Sequence, residues 1–590
     1  MVDEQAGRLG SFRSYIGKMK KSMDRDSSVH IKIVDGADTS PVSADAALRR
    51  NARDAGSQIA FRDPPNRASL DLGSSREITW TEANAIADVL AERFRECGLK
   101  AQDVIAIQMP NIVEAPLLLL GAWRAGLVPC TMPLLWQLDE LRQAFSQIKP
   151  VAAVSIGRYG GNSSAETLGE AAAHQMSIRY VLALGKDLPD GVTPIDEWLA
   201  DTSLHNDKKS DDAKAPTPLD ETAPSDETAS LDETAILTWR VAEQGPHPVP
   251  RTHTELIALA QMFIANLKLN GGDSVLNTYP YISVEAVAGQ LIAPLIAGAG
   301  TTLHMPFDFN IFVQQLKDHQ ITCTAVPAPV ITALEERHNL RSDDMHLSRI
   351  GCIWQGPHSV ISGSELFEAP VPIFDIHNFS ELALIVRERT QGSDPALLPL
   401  GKIRTSEDDG ADEPELETRV RGSVRNEDST QILKGTLFVR GTTVPSGPFD
   451  SAGEQAETRL KPDAQGFLDT GIGCVVGETL EGHFRCKKSE DLIYHGGAVI
   501  AASELDELYA EFDDFLDAAA FVLNDAVIGE RIFAAVVPRP ELSPSLMRLK
   551  HYLAGKRVAA YKTPDQLVIV KSIPREADGS VLRNQILAQI

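Results

Sequence analysis

A chain of 590 residues is longer than a single hydrophobic core usually serves, so two or more domains are expected. Hydrophobic residues make up 43% and charged residues 23%, which excludes a disordered or fibrous chain. The net charge of -26 argues against sequence-independent nucleic-acid binding, although more than half of it lies in two stretches, Asp201–Thr234 and Glu407–Glu417.

The six cysteines are scattered and form no CxxC pair, which points to a reducing compartment and no zinc site. Met1–Gly10 holds no apolar signal-peptide core. The most apolar stretch, Val284–Met305, is interrupted by Glu285, Gln290, Pro294 and Gly298, so no transmembrane segment is expected and the cytoplasm is the default location.

Residues 1–44 read as an N-terminal extension. Phe12, Tyr15, Ile16, Met19 and Met23 fall at helical spacing among basic residues, which suits a short packing helix better than a membrane-surface helix. From Ile78 the pattern becomes regular. Thr79 or Thr81 caps a helix over Glu82–Cys97, and Gly98 closes it. A strand over Val104–Gln108, a helix over Asn111–Gly126, a strand over Leu127–Thr131, a helix over Leu138–Gln147 and a strand over Val151–Ser155 follow. This alternation predicts a doubly wound α/β sheet.

Asp201–Thr234 repeats Asp-Glu-Thr at 220, 226 and 232 and reads as a solvated insertion. After it comes ILTWRVAEQGPHPVPRTH, residues 236–253. A buried strand, a loop and a Thr-capped helix start are expected here, a usual place for a phosphate. Such a loop normally needs glycines, but this one has only Gly245, then Pro246, Pro248 and Pro250, each without an N–H. A second α/β unit is expected from Leu256 to about Ile385, with strands over Thr301–His304, Thr322–Val326, Ile350–Trp354 and Val371–Asp375. Gly401–Val476 is β-rich, with an acidic insertion over 404–432. The reading is thus a large α/β N-terminal part over 45–487 and a small α+β C-terminal domain over 491–590.

Several motifs in order carry a family resemblance: Gln108–Met109–Pro110–Asn111, Gly466–Phe467–Leu468–Asp469–Thr470–Gly471, Asp491–Leu492–Ile493–Tyr494–His495–Gly496–Gly497, Glu504–Leu505–Asp506 and Pro574–Arg575…Val581–Leu582–Arg583. With them the chain resembles the AMP-forming acyl-CoA synthetases and other adenylate-forming ligases, from about residue 45 to the C-terminus. The resemblance implies ATP, Mg²⁺ and CoA as cofactors, and a small-molecule carboxylate or acyl-CoA as ligand. It also implies two half-reactions: a carboxylate attacks the α-phosphate of ATP, then a thiol displaces AMP after the small domain rotates. It names no protein partner.

The departures collect at the nucleotide positions. The family's "TSGTTGxPKG" matches Trp239–Pro248, where Arg240 and His247 supply positive charge but the hydroxyls, most glycines and the lysine are gone. "YGxTE" matches His377–Asn378–Phe379–Ser380–Glu381, with Glu381 expected to face Mg²⁺ and Asn378 expected to take the glycine's left-handed turn. The ribose Asp is Ile472, and Asp469 has the wrong parity to replace it. Lys488 keeps charge, without the bidentate fork, where the family's "GRxKD" has its arginine, and Ser580 stands at the catalytic lysine. Ser283 and Gly356 are implied on the acyl side, Gly496 and Gly497 on the CoA side. Two readings stand: a synthetase-like protein that no longer adenylates efficiently, and an active ligase or acyl-transferring enzyme with reworked nucleotide contacts.

Overall fold

The computed structural model describes residues 29–30, 43–200, 230–242, 245–338, 344–355, 371–390, 393–404, 415–427, 430–449, 460–477, 482–525, 528–576 and 579–589. The expected helix over 12–23, Glu243, Gln244, Gly356 and the acidic residues 201–229 and 405–414 lie outside them.

The first α/β unit forms as its pattern predicts. Helix Trp80–Glu96 opens on a capping box in which Thr79 accepts the Glu82 N–H and Glu82 accepts the Thr79 N–H. The next helix, Glu114–Arg124, is shorter than expected. Asn111 instead crosses to the second unit, its amide donating to the Asn277 carbonyl at 2.9 Å. Strands Val104–Gln108, Val128–Thr131, Ala152–Ile156, Tyr180–Leu184 and Thr193–Pro194 run parallel, and the sheet is extended at its other end by Thr234–Ala242 and Gly245–Thr252.

The second sheet has eight strands, in the order Ala383–Glu388, Ile373–Phe379, Arg349–Gln355, Cys323–Pro327, Ser274–Asn277, Gly300–Leu303, Ile59–Arg62 and Glu77–Thr79. It is parallel except at its two antiparallel edges. Ile59–Arg62, from ahead of the first unit, is thus captured by the second. Ile373–Phe379 continues through the first three residues of the expected adenine-side motif rather than ending before it.

Among the described residues the β-rich region is a seven-stranded sheet. The 404–432 region, expected to be an acidic insertion, contains the strand Leu416–Glu427, paired with Thr430–Arg440. The reason is alternation. Leu416, Thr418 and Val420 point inward, whereas Glu417 turns to the other face and pairs with Arg440 and Arg419.

All five strands of the last sheet come from residues 492–569, and among the described residues none joins another sheet. This C-terminal domain has its own core around Ile493, Leu505, Tyr509 and Phe515. It docks on the large domain through Lys562, 4% exposed, whose ammonium pairs with Glu140 of helix Leu138–Ile148 and with Glu504. Arg557 adds a surface pair with Glu170 at 2.5 Å. No described helix is long and apolar enough to cross a membrane.

Candidate functional site

The expected phosphate loop is a β-hairpin. Thr234–Ala242 and Gly245–Thr252 pair antiparallel from Ala242↔Gly245 down to Ile236↔Arg251, and Gly245 takes φ +100°. The three prolines share one parity, opposite Val241, Trp239 and Leu237, on the outermost strand of the sheet. A proline fits a ladder only where its absent N–H would face away from the neighbouring strand, so Pro-x-Pro-x-Pro is the composition of an edge strand. The outward carbonyl of Pro246 is taken by the side-chain amide of Gln147 at 2.9 Å. Thr252 then caps helix His253–Leu267 in a second capping box, with Glu255.

The inner strand of this hairpin forms one wall of a cavity of about 410 Å³ between the two domains. Trp239, Arg240, Val241 and Ala242 face it. Arg240 is 3% exposed and donates to the Thr470 carbonyl at 3.1 Å. His247, directly across the ladder from Arg240, is not in the cavity wall.

The floor carries His377, Asn378, Phe379, Ser380 and Glu381, together with Ser283 and Glu285. His377 stacks between Trp354 and Phe379, at 6.1 and 6.5 Å between ring centroids. The left-handed residues of the motif are Ser380 (φ +55°) and Glu381 (φ +64°), not Asn378, because Asn378 is still in the strand and the turn comes after it. Two consecutive non-glycine residues at positive φ require support. Arg251, buried in the core, supplies it by donating to the carbonyls of Glu381, Leu382 and Thr443 at 2.7–3.1 Å.

Glu381 and Glu285 share one donor group. The Asn378 amide reaches Glu285 at 2.6 Å and Glu381 at 2.7 Å, and the second Glu381 oxygen accepts the Val284 N–H at 2.8 Å. Burial, reinforced by the neighbouring Glu285 charge, pushes the Glu381 carboxyl up to about 8. Both causes act in the same direction, favouring one shared proton over two adjacent charges.

The third wall is Thr470–Gly473 with Cys486, Lys487 and Ser489, and the fourth is the small domain from Leu492 to Val499. Ile472 lines the cavity and packs on the β-rich core. Asp469 does not reach it, since its carboxylate accepts the Gly471 N–H at 2.8 Å. Lys488 also faces elsewhere, paired with Glu530. In this extended segment neighbours alternate sides, so Lys487 and Ser489 line the cavity instead. Gly496 and Gly497 form the two-residue turn between Leu492–His495 and Ala498–Ala501, at φ +57° and +85°, and lie at the cavity. Ser580 is exposed on another part of the small domain, its carbonyl accepting the Glu576 N–H at 2.8 Å.

A family model described as AMP-binding enzyme matches residues 48–365, more than half of the chain. The chain belongs to the AMP-binding enzyme family. It is similar to a probable CoA ligase of Humulus lupulus, 22% identical over 533 residues, covering 88% of this chain and 89% of that one. It is 23% identical over 555 residues to the medium-chain fatty-acid–CoA ligase of Escherichia coli, covering 90% of each chain. Among solved structures it resembles o-succinylbenzoate CoA synthetase of Bacillus subtilis, with a TM-score of 0.67, 17% identity, and 92% of this chain and 98% of that one covered. The apo structure of MbtA from Mycobacterium smegmatis gives a TM-score of 0.56 at 23% identity, over 93% and 95% of the two chains.

Members of the AMP-binding enzyme family generally use ATP, Mg²⁺ and CoA. Within this member, the fold brings Arg240, Ser283, the 377–381 segment, Ile472, Gly496 and Gly497 to one cavity, and leaves His247, Lys488 and Ser580 outside it. Sequence reasoning missed Glu285, Lys487 and Arg251 as determinants of the site. Glu285 had a signal, as an acid inside the most apolar stretch of the chain. Lys487 and Arg251 had none, because strand parity at a domain junction and a contact across some 130 residues are tertiary facts.

Proposed function

We propose that this protein is a carboxylate–CoA ligase homologue in which ATP-dependent adenylation is impaired or lost, while the interdomain cavity accepts an acyl group or an acyl thioester. The observation that carries this reading is the Pro246–Pro248–Pro250 edge strand. A triphosphate needs a cluster of backbone donors turned toward it, whereas here the cavity-lining strand Trp239–Ala242 is paired in a hairpin with a strand whose three prolines have no N–H to donate.

The electrostatics support the same reading. Bringing a carboxylate to the α-phosphate joins two anions, and that step depends on positive charge placed at the phosphates. Arg240 and Lys487 line the cavity, Arg240 donating to the Thr470 carbonyl, but Ser580 supplies no cation at the catalytic-lysine position and Ile472 offers the ribose no acceptor. Both Glu381 oxygens already accept hydrogen bonds, from the Asn378 amide and the Val284 N–H, so a divalent ion there has to displace one of these donors. The glycine turn at 496–497 leaves the backbone open to close approach from the cavity side, which suits the pantetheine arm of CoA.

The test is calorimetric titration with ATP, AMP, CoA and acyl-CoA, alongside ATP–pyrophosphate exchange over short, long and aromatic acids. Loss of one key donor commonly costs ~3 kcal/mol, a factor of ~100 in rate. Exchange at or near background, with acyl-CoA binding retained and ATP binding absent at millimolar nucleotide, is expected. Robust exchange, or ATP binding in the absence of any acid, overturns the proposal and favours an active ligase with reworked contacts.

A further inference from the structure

Two of the six cysteines face each other. Cys474 on strand Leu468–Gly477 and Cys486 on strand His483–Cys486 are directly opposite in the antiparallel ladder, with sulfurs 4.0 Å apart. The Lys487 N–H donates to the Gly473 carbonyl at 2.6 Å, one residue beyond the pair on each strand. That bond marks Cys474↔Cys486 as a non-hydrogen-bonded position, where facing Cα atoms come closest, about 4.5 Å. A disulfide accepts Cα separations of about 4.4–6.8 Å, so the pair needs only side-chain rotation to close.

The two thiols are unequal. Cys474 is 1% exposed, and contact with Cys486 together with burial holds its thiol far above the ordinary range. Cys486 is half-buried and lines the interdomain cavity. The remaining cysteines have no such partner position. Cys130, Cys323 and Cys352 are buried in the sheet cores, with burial pushing the last two up to about 12. Cys97 stands at a helix end and is not part of the cavity wall.

We propose that Cys474 and Cys486 form a thiol–disulfide modification site in the cavity wall, reached through the cavity by a low-molecular-weight disulfide. The Cys486 thiolate attacks one sulfur of the reagent, forming a mixed disulfide and releasing one thiol. Cys474 then attacks the Cys486 sulfur and releases the second thiol. The two protein thiols are oxidised, one reagent disulfide is reduced to two thiols, and the two protons pass to the leaving groups. The product ties together the last two strands before the 487–491 junction to the small domain.

The test is to incubate the reduced full-length protein with oxidised glutathione, count free thiols under denaturing conditions and map peptides by non-reducing mass spectrometry. A 474–486 crosslink, with two thiols lost per chain and recovered on adding dithiothreitol, is expected. In Cys474→Ser the same treatment leaves glutathione on Cys486, and in Cys486→Ser it leaves Cys474 unreacted. A stable mixed disulfide on Cys486 in the wild type, or a site less reactive than Cys97, overturns the proposal. Circular dichroism of both variants checks that they fold, and this readout is independent of ATP or acyl-CoA binding.

Discussion

The two sides of the interdomain cavity differ in what they retain. On the large-domain side, the hairpin 234–252 keeps the strand–connection–helix order of a phosphate site but fills it with an edge strand whose prolines cannot donate. On the small-domain side, Gly496–Gly497 keeps two left-handed residues in a tight turn that no bulky residue could replace without strain. The difference teaches that backbone order and site chemistry are separable. A hairpin satisfies its own hydrogen bonds with almost any edge-compatible sequence, whereas a tight turn at positive φ tolerates few.

The largest expected effect comes from separating the two sides. Lys562→Met leaves Glu140 in the domain interface without its cation, and breaking a buried pair costs about 3–5 kcal/mol. Urea denaturation should show a second, earlier transition, and proteolysis should accelerate around 487–491. A single unchanged transition would show that the interface is held by packing alone.

A smaller effect probes the floor shared by both sides. Glu381 has a folded-state value of about 8, above the unfolded 4.5. The native state therefore binds the extra proton. Its contribution to stability is fully present below about 4.5 and is lost as pH rises through 8. Glu381→Gln should abolish that loss, on the order of 4 kcal/mol between pH 5 and 9, and should be more stable than the wild type at the upper end. Parallel wild-type and variant melting curves across this window would refute a shared proton.

Gly497→Val tests the small-domain wall directly. A β-branched residue at φ +85° costs about 1–3 kcal/mol and crowds the cavity. Acyl-CoA affinity should fall at least about tenfold, a loss of ~1.4 kcal/mol. Unchanged affinity would place the thioester elsewhere. The smallest effect is on the large-domain wall, where Thr252→Ala removes the cap on helix His253–Leu267 and should cost about 1 kcal/mol in thermal stability, with acyl-CoA affinity unaltered.

Much of the fold was legible in advance where local signals were complete. Thr79, Gly98 and the apolar spacing between them specify a helix without help from the rest of the chain. The hairpin was legible only in part. A short strand at Ala235–Leu237 and the cap at Thr252 were expected, but the strand runs on to Ala242, and the prolines read as a loop because their shared parity acquires meaning only on a sheet edge. Leu416–Glu427 was obscured by its acidic flank, whose charge outweighed the alternation of Leu416, Thr418 and Val420.

The sequence by itself determined the family's colinear motifs, the cap residues and the loss of the hydroxyls, the lysine and every glycine but Gly245 at 239–248, since these are properties of residue types in order. Tertiary structure alone decided that Ile59–Arg62 belongs to the second sheet, that Lys487 rather than Lys488 lines the cavity, and that Asn378 bridges Glu285 and Glu381. It also decided that Cys474 meets Cys486. Each of these depends on pairing register or on contacts between distant segments. A one-residue change of register turns every side chain of a strand to its other face, and local propensity carries no information about that choice.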